Sequence, residues 1–440
     1  MMVSITIAQR IALVFIVACI ATTASAQPLD SLIALAQRAH PSVDAARIAI
    51  ERSDARARAA EAWEPPRVGF EIADLPLSDP NPFGRGESMV MAEQMIPLFG
   101  QNRRMAAAER LSAAFAETEL AVAQRDLAAR VEREYLSLWL LDRRYALNAE
   151  SRVLVDAMFK AAEVQYTVGR AVQSDLFRVT LEIERLGNQR REIIEELAEA
   201  RGRMNAIIGR HDSISIAIAD TLAFVAVMSF DSLSAGIDAH PALRQMDAMA
   251  AMSLAEADAK LSMLDPMLMI RGGISFAPEG HPVREGSDML AALFAGEHAS
   301  EAMEDPMRWG ITVGAMLSIP IAPWSRGGPE AVAQVSRLEA QEQMLKREVM
   351  KRDMSAMLRR VWSQGRRAQL RLEFHRRTQI PLLETTLQTL KGEYENGRST
   401  FTSLIDAYLM LVMARMDAYM QEMEHAMARA MIVEIAGAQR

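Results

Sequence analysis

Seven methionines near the C-terminus, Met410, Met413, Met416, Met420, Met423, Met427 and Met431, follow one another at steps of three or four residues. On a helix that spacing gathers thioethers along one side, and soft thioethers are ligands for Cu(I) and Ag(I). The same steps describe the a/d seam of a coiled-coil helix, with methionine as adaptable apolar filler. Their regularity favours the seam. A second group, Met263, Met267, Met269, Met303 and Met307, flanks a strand-like run and a long loop; within it Met303 and Met307 are the candidate metal ligands. The histidines, His40, His211, His240, His281, His298, His375 and His425, show no ligand spacing. No Gly-x-Ser-x-Gly elbow, His-Glu-x-x-His pair or phosphate-binding loop occurs. Carboxylates lie mostly beside arginines, as in Arg190-Arg191-Glu192, which reads as solvated helix surface. These residues predict no enzyme and imply no cofactor.

The elements that hold these residues belong to a chain of 440 residues, 50% hydrophobic and 24% charged, enough to build a real core and too apolar for wholesale disorder. A net charge of -8 argues against a nucleic-acid partner bound through a general basic surface. The single cysteine, Cys19, leaves no intramolecular disulfide and no Cys-pair zinc site.

Arg10, the apolar run Ile11–Ala21 and Ala24-Ser25-Ala26 together form a secretory signal peptide over residues 1–26. Cleavage after Ala26 fits best. Ile16-Val17-Ala18-Cys19 also fits a lipoprotein box, in which Cys19 is lipidated and becomes the first residue. Beyond residue 26 no apolar run reaches ~18 residues, so a membrane-spanning chain would need a closed β-barrel.

The sequence is internally duplicated. His40-Pro41 recurs as His240-Pro241, Pro66 as Pro266, Ile96-Pro97 as Ile319-Pro320, and Tyr166-x-x-Gly169-Arg170 as Tyr394-x-x-Gly397-Arg398, in the same order. The first repeat, 27–230, reads as a helix, strands at about 66–76 and 88–98, and long helices over 103–166 and 174–209. The second, 231–440, reads as a helix, strands at about 267–277 and 309–321, and long helices over about 328–395 and 401–437. Val68, Phe70 and Ile72 alternate with Gly69 and Glu71, and Trp309, Ile311, Val313, Ala315 and Leu317 with small or polar residues, Met316 excepted. Met89 to Ile96 alternates poorly. The same period suits a half-buried sheet or a barrel with lipid outside and water inside. Leu176, Val179, Ile183, Leu186, Arg190, Ile193, Leu197, Ala200, Met204 and Ile207 form a sustained a/d seam with Arg190 its one polar member. A helix over 174–209 would be roughly 54 Å long, more than a bilayer's thickness, and would project into water.

A secreted, duplicated unit of helix, strand pair and long coiled-coil helices resembles the TolC family of outer-membrane efflux channels. The resemblance rests on Leu35-Ala36-x-x-Ala39-His40-Pro41, on Pro66, on Gln94-x-Ile96-Pro97-Leu98-Phe99-Gly100-Gln101-x-Arg103, and on the two Tyr-x-x-Gly-Arg turns. It implies a mainly α chain with a small β part, assembling as a homotrimer. Each copy would give four strands to one 12-stranded transmembrane β-barrel in outer-membrane lipid, continued by a periplasmic α-helical coiled-coil barrel. It further implies a periplasmic adaptor protein and an inner-membrane pump of the proton-driven resistance-nodulation-division type as partners. The adaptor-contact tips would be Val168, Gly169 and Arg170 with Asn396, Gly397 and Arg398. The periplasmic gate would involve Asp406, Asp175, Ser403 and Arg178; the family often has Asp where Ser403 stands. The Ile-Pro-Leu-Phe-Gly run and the acidic first strand look most like the heavy-metal branch, copper/silver and cobalt–zinc–cadmium systems. Drug or organic-solute efflux and type I secretion are the near alternatives, and a periplasmic coiled-coil adaptor is the competing class.

Overall fold

The structure, a computed structural model, describes residues 29–73, 87–212, 214–219, 221–222, 229–278 and 307–436. The signal segment, Cys19 and Met303 lie outside the described residues. The elements are α1 (Leu29–Ala39), α2 (Pro41–Glu61), β1 (Arg67–Ala73), β2 (Glu87–Pro97), α3 (Gln101–Thr167) and α4 (Gln173–Ile207). After these come α5 (Phe230–Ser234), α6 (Pro241–Leu261), β3 (Met267–Pro278), β4 (Met307–Ser318), α7 (Pro323–Phe374), α8 (Ile380–Glu395) and α9 (Phe401–Ala436). Among the described residues the chain is thus mainly helical with one small sheet, and the element order of the first half recurs in the second.

The recurring His-Pro pairs have one physical job. His40 Nδ1 accepts the Ser42 N–H at 3.2 Å and His240 Nδ1 accepts the Ala242 N–H at 3.1 Å. Each histidine therefore caps a helix whose first residue is proline, which has no N–H to satisfy. His240 Nε2 also meets the Glu434 carbonyl at 3.0 Å, which requires the neutral tautomer with its proton on Nε2.

The described residues form two compact units, each drawing segments from both sequence halves: those within 1–46, 119–244 and 348–440 in one, those within 47–118 and 245–347 in the other. In the first, α1, α3 and α4 enclose a core of Leu32, Val131, Leu138, Ile193, Leu197 and Met204. A second core joins Val155, Val179, Leu186, Tyr394, Leu404 and Tyr408. In the heptad seam of α4, Val179, Leu186, Ile193, Leu197, Ala200, Met204 and Ile207 are buried and Ile183 is half-buried. The polar member, Arg190, stays exposed, where its Nη2 donates to Tyr145 Oη at 2.6 Å with the guanidinium carbon 4.8 Å from the ring centroid.

The second unit contains an antiparallel sheet in the order β1-β2-β3-β4. Its register puts Phe70 opposite Val90, Val90 opposite Ile274, and Ile274 opposite Ile311. Directly opposed residues share a face. One face therefore carries Val68, Phe70, Ile72, Val90, Ile274, Phe276, Trp309, Ile311 and Val313, all exposed, with Val68 at 75% and Trp309 at 66%. The turn from β2 into α3 uses Phe99 and Gly100, both at positive φ (61° and 77°), so the Leu98-Phe99-Gly100 run makes the strand-to-helix corner. Arg104 secures that corner by donating to the Phe99 carbonyl at 3.2 Å and pairing with Asp265.

Two helix boundaries differ from the sequence expectation. α7 starts at Pro323, where a missing N–H costs nothing, and runs through Gly327-Gly328-Pro329, with Pro329 forfeiting the one intrahelical bond its N–H would have made. The helix expected over 328–395 is interrupted by a π-helical turn, His375–Gln379, just before Pro381. Proline cannot donate to the carbonyl four residues back, and a widened turn absorbs the missing bond.

Candidate site at the paired hairpin tips

Both tips are built by one device. The Gly169 N–H reaches the Tyr166 carbonyl at 2.9 Å and the Arg170 N–H the Gln165 carbonyl at 2.8 Å. At the second tip Gly397 reaches Tyr394 at 2.9 Å and Arg398 reaches Glu393 at 2.7 Å. This is the Schellman closure of a helix C-terminus, which needs a left-handed residue; Gly169 and Gly397 supply it at φ 75° and 71°. The repeated Tyr-x-x-Gly-Arg sequence is thus a helix stop followed by a sharp reversal.

The tips lie side by side. Gln165 Nε2 donates to the Glu395 carbonyl at 2.7 Å, and Arg170 passes over Gly397, where a Cβ would come 3.6 Å from Arg170 Cδ. Tyr394 is buried against Phe401, ring edge to face at 5.7 Å. Burial, and then the Asp175 carboxylate, push the Tyr394 hydroxyl above its ordinary pKa, so it stays neutral. Deeper in the same core, burial pushes the Tyr408 hydroxyl up to about 12. Val168, Arg170, Asn396 and Arg398 are all exposed.

The expected gate residues occupy distinct positions. Asp175 is half-buried in the first turn of α4, where a carboxylate opposes the helix dipole. Arg178 Nη1 donates to Thr402 Oγ1 at 2.6 Å, tying α4 to α9. Ser403 belongs to a helix cap: its N–H donates to Thr400 Oγ1 at 3.2 Å and the two hydroxyls are 2.9 Å apart. Asp406 stands exposed one turn along α9. Thr402, Thr400 and Gln165 escaped the sequence reading; an N-cap threonine three residues before Ser403 was the available signal for one of them.

The methionine seam expected on α9 is corrected. Its buried line is Leu404, Tyr408, Leu411, Ala414, Ala418, Glu422, His425, Ala428 and Ile432, and none of the seven methionines is on it. Met410 and Met413 are exposed at 58% and 65%. They continue the face that carries Asp406, since steps of four and three residues keep to one side of a helix. The small side chains of Ala414, Ala418 and Ala428 take part of that buried line instead. Among the described residues no group of three or more His, Cys, Asp or Glu could hold a metal ion, and Met307 opens β4 opposite Pro278.

No protein-family model matches the sequence, and no curated protein matches it. Solved structures do match its fold. The transmembrane channel CusC superposes with a TM-score of 0.72 at 17% identity, over 93% of this chain and 92% of that one. The outer-membrane channel OprN gives 0.72 at 15%, covering 93% and 90% of the two chains. The outer membrane protein VceC of Vibrio cholerae gives 0.70 at 15%, covering 93% and 96%. The chain therefore has the fold of the TolC-type outer-membrane channels, the fold its sequence motifs resemble.

Proposed function

We propose that this chain is the channel subunit of a tripartite efflux system in the outer membrane, a passive exit duct rather than an enzyme. The observation that carries the proposal is the sheet. Four strands with one exposed face of Val, Ile, Phe and Trp, and with β1 and β4 at its edges, make a poor soluble structure and a good third of a barrel. Apolar side chains on that face suit lipid, and pairing of β1 with β4 of the next copy would satisfy both edges. Three copies close at 12 strands. No described helix is long and apolar enough to cross a membrane, so the sheet is the element for that role.

In this reading the exposed tips at Val168–Arg170 and Asn396–Arg398 meet a periplasmic adaptor, and an inner-membrane pump supplies the energy. Threefold symmetry turns Asp406 and Asp175 into rings of like charge, which favour cations at a constriction. Heavy-metal cations are the proposed cargo, supported by the motif resemblance and by the fold shared with CusC. Fractionation tests the assignment: a heat-modifiable trimer in outer-membrane fractions is expected, and a carbonate-extractable periplasmic monomer would overturn it.

A further inference from the structure

The face of the sheet opposite the apolar one has an unexpected composition. It presents Arg67, Glu71, Glu93, Arg271, Ser275 and Thr312 with several glycines, yet it also holds the methionines that spoil the alternation of β2. The register gathers three of them. Met95 is directly opposite Met269, and Met269 is directly opposite Met316, so β2, β3 and β4 each place one thioether in a single row. Opposed side chains in a sheet start about 5 Å apart at Cβ, and a methionine has three rotatable bonds with which to bring its sulfur inward. Met316 is 61% exposed, while Met95 and Met269 are half-buried.

The surroundings sharpen what such a row would bind. In the adjoining row Arg271 Nη2 pairs with Glu93 Oε1 at 2.5 Å, which occupies the nearest carboxylate. Beyond that pair Met91 lies over Gly69, where a Cβ would come 3.4 Å from Met91 Cγ, and Met89 and Met91 flank Gly273. Apolar packing does not account for this placement, because the sheet's Val, Ile, Phe and Trp all belong to the other face. Neutral sulfur donors with no imidazole among them select soft ions and leave hard or borderline divalent cations in water.

We propose that Met95, Met269 and Met316 form a thioether site for a soft monovalent metal ion, Ag(I) or Cu(I). Its use as a station along the exit path rests on the channel reading; the site itself rests on the sheet register.

The test uses the full-length protein purified in detergent and titrated calorimetrically with silver nitrate in chloride-free buffer, with silver K-edge absorption of the loaded protein. Expected are a bound ion with an all-sulfur first shell, at least tenfold weaker binding in Met269→Leu, and loss of that ion in the Met95→Leu/Met269→Leu/Met316→Leu variant. Leucine nearly matches methionine in volume, so the fold should survive. The α9 variant Met410→Leu/Met413→Leu/Met420→Leu should bind as wild type does. Undiminished binding in the sheet variant, loss in the α9 variant, or a nitrogen–oxygen shell in the wild-type spectrum would overturn the site, the last needing no variant to fold. Bilayer conductance of the metal-free protein separates the two readings. Conductance without silver binding removes the site alone, and silver binding without conductance removes the channel alone.

Discussion

Arg178 and Thr402, 224 positions apart, are joined by a 2.6 Å hydrogen bond from Nη1 to Oγ1. The bond links the second turn of α4 to the first turn of α9, the two helices that begin just after the two glycine turns. Both partners are exposed, so a double-mutant cycle with Arg178→Ala and Thr402→Val should give a coupling of about 0.5–1 kcal/mol in stability. If the bond also restrains a closed tip, each variant raises single-channel conductance in planar bilayers. Additive effects on stability and unchanged conductance would remove it as a latch.

Asp406 should act on ions rather than on folding. Its carboxylate is exposed on the outer side of α9, away from the buried Leu404–Tyr408 line. Asp406→Ala is expected to leave the unfolding midpoint within about 0.5 kcal/mol of wild type, as for other surface changes. It should widen conductance and shift the zero-current potential under a potassium chloride gradient toward lower cation preference. An unchanged potential would take Asp406 out of the constriction.

The two tip glycines should respond alike to alanine. Gly169→Ala and Gly397→Ala each force a β-carbon into the left-handed region, at a cost of about 1–2 kcal/mol. The space around them does not decide the outcome: nothing lies within 4 Å of a Cβ at Gly169, and at Gly397 the nearest atom, Arg170 Cδ, is at 3.6 Å. Chemical denaturation of both variants checks this. A loss confined to Gly397→Ala would point to crowding instead of backbone strain.

His240 predicts an acid-sensitive term in stability. Burial, and then Arg125, hold its imidazole below the ordinary 6.5. Below about pH 6.5 the unfolded chain takes up a proton that the folded chain refuses, so stability is full above that pH and falls as the pH drops toward the folded value. His425, depressed by burial and Arg429, acts in the same direction. Glu434, raised by burial, acts oppositely as the pH falls toward 4.5. His240→Asn keeps an acceptor for the Ala242 N–H but loses the bond to the Glu434 carbonyl, about 1 kcal/mol at neutral pH. The gap between variant and wild type should narrow from pH 8 to about pH 5.5; a constant gap would show that His240 does not titrate as described.

Much of this architecture was legible in the sequence because backbone requirements repeat. The His-Pro pairs are helix starts and the Tyr-x-x-Gly-Arg pairs are helix stops, each with a local hydrogen-bond pattern that the residue types enforce. The α4 seam was readable for the same reason, from its spacing of branched apolar residues. The α9 methionines misled because a side chain that is both apolar and flexible fits a buried seam and an exposed face equally well. There the alanines at 414, 418 and 428, not the methionines, mark where helices pack. β2 looked irregular because Met89, Met91 and Met95 fill the polar side of its alternation; only the pairing register separates them from Val90 and Ile96. The Arg178–Thr402 bond could not be read at all, since it depends on how two distant helices approach.

Pairing of β1 of one copy with β4 of the next is measured directly by cysteine cross-linking in cells. In a background with Cys19→Ser, Glu71→Cys is combined in turn with Gly310→Cys, Thr312→Cys and Gly314→Cys, edge-strand positions on one face of the sheet. Opposed cysteines in neighbouring strands lie within disulfide reach. One combination is expected to give reducible dimers and closed trimers in the outer-membrane fraction. If none does, while the neighbouring pair Met89→Cys/Ser275→Cys closes within a single chain, the three-copy barrel is contradicted.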